Sequence, residues 1–137
     1  MGITLIKLRR KLILDNTGLR ICLERDFIEY YRWLILQYYH NCIKIATPRH
    51  GAHIAIVTKA LHKKEFCLDQ LAKYHNMEVD FEYSLDMKIG GSYFTNFWLP
   101  VNFPLGAEIK NDLEIQETNF LGFHITVANT KQYEKKT

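Results

Sequence analysis

Two short stretches place side chains able to do chemistry on an apolar background: Ala52-His53-Ile54-Ala55-Ile56-Val57 and Phe123-His124-Ile125-Thr126-Val127-Ala128. Both are rich in residues that favour β-strands. Successive side chains of a strand point to opposite faces. His53, Ala55 and Val57 therefore share one face, with Ile54 and Ile56 behind them. His124, Thr126 and Ala128 likewise share a face, backed by Phe123, Ile125 and Val127. The histidines stand 71 positions apart, which leaves room for half a domain, so the two strands are expected side by side in a central sheet. Two imidazoles facing one cleft suit phosphodiester chemistry. With an ordinary pKa of about 6.5, one neutral ring can take a proton from an attacking oxygen while one imidazolium protonates the leaving oxygen. The Thr126 hydroxyl and nearby backbone N–H groups would hold the phosphate oxygens as charge shifts.

The rest of the chain supplies elements to position them. "ITLIKLRRKLIL" reads as a strand, "DNTG" over 15–18 as a turn and "LRICL" as a returning strand. From Asp26, apolar and aromatic residues recur at helical spacing through Phe27, Tyr31, Leu34 and Tyr38. Asp26 with Glu29 three residues on reads as a capping-box-like start, and the helix is expected to end near His40. "TPRHG" is a loop, and a second helix is expected over about 63–75. "MEVDFEYSL" alternates as a half-exposed strand, "KIGGS" turns, and "SYFTNFWLPV" is an aromatic strand that Pro100 is expected to end or mark as an edge. Residues 104–111 suit a short helix before the last strand. The order β, β, α, β, α, β, β, (α), β reads as one α+β domain over 1–137.

Composition bounds the partners. With 47% apolar and 24% charged residues the chain can build a core. A net charge of only +3 does not supply the dense basic stripe that duplex DNA demands, but is compatible with a small anionic ligand. No apolar run approaches the ~20 residues of a spanning helix. Lys7, Arg9, Arg10 and Lys11 interrupt the first residues, unlike a signal peptide. Cys22, Cys42 and Cys67 are odd in number and form no CxxC, so they read as reduced thiols in a cytoplasmic protein.

Paired H-x-[ST]-x motifs on two strands of a two-lobed α+β domain resemble those of the two-histidine (2H) phosphoesterase superfamily, the LigT-like group. "HITV" at 124–127 matches the motif; "HIAI" at 53–56 departs from it at Ala55, where the family usually has Thr or Ser. The resemblance implies a bilobal fold, with antiparallel sheets lining a central cleft and helices on the outer faces. It implies His53 and His124 as the catalytic pair, Thr126 as a phosphate ligand, and no metal or other cofactor. It also implies a small nucleotide substrate: a cyclic dinucleotide such as cGAMP, a 2′,5′-linked oligonucleotide or a 2′,3′-cyclic phosphate. A backbone N–H, Thr58 or Arg49 would stand in for the hydroxyl missing at Ala55. Otherwise the chain turns over slowly, or binds nucleotide as a sponge without cleaving it. In size and composition the chain resembles compact viral members, the phage anti-CBASS enzymes and the LigT-like proteins of avian poxviruses. Such a protein would act in the host cytosol as a monomer.

Other candidates are weighed beside these. Trp98 or Tyr93 could stack on a base, though they fall on opposite faces of one strand. Arg49, beside the first motif, could meet phosphate or remain a solvated loop charge. His50 and His53 straddle a loop and a strand start, poor geometry for zinc. His40, His62 and His75 fall near helix ends. The "RRK" run at 9–11 reads as solvated, and Gly90-Gly91 as a hairpin turn with no helix start behind it to bind phosphate.

Overall fold

In the computed structural model, which describes residues 4–48, 51–59, 68–91, 95–115 and 122–130, the chain begins with a hairpin. Strand β1 (Leu5–Asp15) returns as β2 (Gly18–Cys22). One carboxylate ties the turn: Asp15 Oδ1 accepts from the Thr17 N–H at 2.8 Å, the Thr17 hydroxyl at 2.6 Å and the Gly18 N–H at 3.2 Å. This side-chain-to-backbone bonding is why Asp favours turns. Helix α1 (Arg25–Tyr38) starts earlier than expected, with Glu24 at its N-cap and no side-chain cap. Asp26 lies in its first turn, where the helix dipole favours a negative charge, and Glu29 pairs with Arg25 at 3.0 Å.

There follow β3 (His53–Thr58), a short α2 (Leu68–Leu71) with one 3-10 turn (Ala72–Tyr74), β4 (Glu78–Ser84), β5 (Lys88–Gly90), β6 (Asn96–Asn102), α3 (Pro104–Asp112) and β7 (His124–Asn129). The first part of the helix expected over 63–75 lies outside the described residues. Two expectations are corrected. Lys88–Gly90 is a strand paired with β6, too short to show alternation in the sequence. Pro100 sits inside β6, opposite His124. The next residue, Val101, donates its N–H to Phe123, so the proline nitrogen points away from β7. It faces the place where β6 changes partner from β5 to β4, and the missing donor is not needed there.

All strand pairings are antiparallel, in the order β3-β2-β1-β4-β6, with β5 and β7 both pairing β6. The end strands β3 and β7 lie against each other, so the sheet is nearly closed into a barrel. This is a mixed α+β architecture, as composition and pattern suggest. One face of the sheet is apolar: Leu12, Leu19, Ile21, Ile54, Phe81, Leu99, Ile125 and Val127 are fully buried. Burying each such side chain contributes about 1.5–3 kcal/mol. Ile28, Tyr31 and Ile35 of α1 and Ile109 of α3 join this core. The Tyr31 hydroxyl bonds the Tyr83 hydroxyl at 3.2 Å, and burial pushes the Tyr31 phenol pKa well up.

Candidate active site

The opposite face of the sheet carries the polar residues, and its continuity can be followed through the pairing. His53 lies across from Cys22, and Ala55 across from Arg20. Arg20 faces Ile13, in register with Arg9 on the same side of β1. Arg9 faces Asp80, Glu82 faces Asn102, and on β6 Pro100 and Trp98 face His124 and Thr126. Cross-strand partners share a face, as do residues two apart. His53, Ala55, Arg20, Trp98, Thr126 and His124 therefore project from one face of one sheet. The "RRK" run is partly paired: Arg9 bonds Asp80 at 3.0 Å, and Arg10 reaches Glu24.

The two histidines are held alike. His53 Nδ1 lies 3.1 Å from the carbonyl oxygen of Gly51, and His124 Nδ1 lies 3.0 Å from that of Gly122. A carbonyl oxygen only accepts, so in each of these hydrogen bonds Nδ1 carries the hydrogen and donates it. Both glycines have positive φ, +76° at Gly51 and +66° at Gly122, a backbone state open to glycine at little cost. That turn brings the carbonyl under the ring two residues on. The sequence carried the signal as a shared G-x-H-I, in "GAHI" and "GFHI", which the strand reading passed over.

The likeness extends along both strands. In β3, the residues at His, His+1 and His+2 pair with β2, Ile56 is skipped, and Val57 and Thr58 pair again. In β7, His124, Ile125 and Thr126 pair with β6, Val127 is skipped, and Ala128 and Asn129 pair again. Each histidine strand thus has its β-bulge three residues after the histidine. Bulges increase twist and re-aim neighbouring side chains. The β2–β3 and β6–β7 strand pairs are equivalent in register, and Arg20 in the first holds the place of Trp98 in the second.

A cleft of about 730 Å³ opens on the β2–β3 side, with Thr17, Arg20, His53, Ala55, Thr58 and Lys59 in its wall. Arg20, which sequence reasoning missed, is held by Asp15 at 2.6 Å. The Thr17 hydroxyl bond, followed by the turn N–H groups and the Arg20 charge, holds the Asp15 pKa below its ordinary 3.8. Stability from this carboxylate is therefore complete above pH 3.8 and is lost as the pH falls through its lower folded value. Asp15→Asn is expected to flatten the acid limb of stability: between about pH 4 and about pH 2 its melting temperature should fall less than that of the parent.

On the β6–β7 pair, the Trp98 indole edge lies over Gly90, with Lys88 and Thr126 on the flanking strands. Tyr93, Arg49, His50, His62 and Cys67 lie outside the described residues. His75 accepts the Leu14 N–H at Nδ1, a structural use. Cys22 and Cys42 are free thiols. Among the described residues no three His, Cys, Asp or Glu side chains gather as metal ligands, and no helix is long and apolar enough to cross a membrane. No family model, curated protein or solved structure matches the chain.

Proposed function

We propose that the chain is a metal-independent phosphodiesterase of the two-histidine type, acting on a cyclic dinucleotide such as cGAMP or on a 2′,5′-linked oligonucleotide. The observation that carries this reading is the matched pair His53 and His124. Both project from one face, both are held through Nδ1 by a glycine carbonyl two residues back, and they stand on strands that lie against each other. A ribose hydroxyl beside the scissile phosphate attacks phosphorus and gives its proton to Nε2 of one histidine. The bond to the leaving oxygen breaks, and Nε2–H of the other histidine protonates that oxygen. Water attacks a cyclic phosphate by the same exchange. Thr126, on the face of His124, binds a phosphate oxygen, and Trp98 beside it offers a ring to a base. On the likeness to compact viral members, the biological target is a cyclic nucleotide immune messenger in the host cytosol.

Ala55, exposed and without a hydroxyl, favours a second reading, a sponge that binds nucleotide intact. One experiment separates these. The protein is incubated in EDTA with cGAMP and with an RNA ending in a 2′,3′-cyclic phosphate, and substrate and product are resolved by chromatography. Cleavage of cGAMP is expected. Cleavage of the RNA end alone would make this an RNA phosphodiesterase, and intact nucleotide released on denaturation would make it a sponge. Activity abolished by the chelator would overturn the metal-independent mechanism.

A further inference from the structure

We infer that Arg20 binds the substrate phosphate on the His53 side, replacing the hydroxyl that Ala55 lacks; this rests on the phosphodiesterase reading. Three observations lead there. Arg20 is the direct cross-strand partner of Ala55 and shares its face, so the two side chains are neighbours on the β2–β3 pair. Arg20, His53 and Ala55 wall the same cleft. The guanidinium is also pre-positioned. Asp15 Oδ2 accepts from Nη2 at 2.6 Å, while Asp15 Oδ1 is itself held by the Thr17 and Gly18 turn. That bond uses one of five N–H donors; Nε is buried and unbonded among the described residues, so the donors left for a ligand are those of the terminal Nη groups. A fixed fork with donors to spare is the geometry by which Arg takes phosphate oxygens.

The equivalence of the two strand pairs adds direction. The place held by Arg20 on β2 is held by Trp98 on β6. The cation therefore takes charge on the β2–β3 side and the indole takes a base on the β6–β7 side. A nucleotide then lies across the face in one orientation, with its scissile phosphate between the two histidines, Arg20 on its β2–β3 side and a base toward Trp98.

The test separates binding from turnover. In a His124→Ala background, cGAMP binding is followed by calorimetry with Arg20, Arg20→Gln and Arg20→Lys, and with Ala55→Thr added to each. Arg20→Gln is expected to weaken binding about 10- to 100-fold, with Arg20→Lys between. Ala55→Thr should restore a large part of the loss in the Arg20→Gln protein while changing the Arg20 protein little. A merely structural role for Arg20 would give no such rescue. Melting temperatures identify any variant that fails to fold, and Ala55→Thr alone tests the same space without touching Arg20. Equal affinity with and without Arg20 would overturn this inference and leave the phosphodiesterase reading standing. Absence of nucleotide binding by the unaltered protein would overturn both.

Discussion

Alanine at either His53 or His124 is expected to lower kcat/KM for cGAMP by about 10²- to 10⁴-fold, the usual contribution of a positioned general acid or base. The two rings act on one proton transfer cycle, so the double variant should be little worse than the poorer single one. The unaltered protein should show a bell-shaped pH dependence, since one ring works neutral and the other protonated. Each single variant should lose one limb of that bell. Both side chains are partly exposed, so neither substitution should move the melting temperature much. Steady-state rates across pH, beside thermal melts, check this. A variant that keeps its rate within a few-fold of the parent would remove that histidine from the mechanism.

Gly18→Ala is expected to have the largest effect on stability, about 3 kcal/mol, at the upper end for overpacking. Gly18 closes the first hairpin opposite Asp15 and also pairs with Thr58 of β3. A Cβ there would overlap the Val57 carbonyl oxygen and press on the Thr58 Cα. The obstacle is backbone, so no rotamer change relieves it, and β3 itself must shift. Because β3 carries His53, activity under native conditions should fall as well. Urea unfolding reads the first effect and cGAMP turnover the second. A midpoint unchanged from the parent would show that β2 and β3 are looser than the pairing implies.

Much of the fold was legible in the sequence because its periodicities are local. Alternation in "MEVDFEYSL" announced β4, and the Asp15–Gly18 turn announced the first hairpin. Helical spacing from Phe27 to Tyr38 announced α1. The failures share a cause. Three residues of β5 are too few to show a period, and the setting of Pro100 depends on which strand lies on each side of β6. No local pattern reports a change of partner.

The site divides in the same way. Strand alternation alone determined that each histidine stands opposite an apolar row, and that Thr126 but no second hydroxyl accompanies the pair. The glycine two residues before each histidine was also in the sequence, although its purpose shows only when the carbonyl is seen at Nδ1. Tertiary structure decided that the two polar rows are one face, because that depends on five successive strand registers. It also set Arg20 across from Ala55, 35 positions away in the chain, and Trp98 across from Thr126. Cross-strand register arises from packing of the apolar face and from bulges, and a shift of one residue would turn every side chain of a strand to the other side. The chemistry of the individual residues is therefore written along the chain, while their meeting is settled only by how the strands pair.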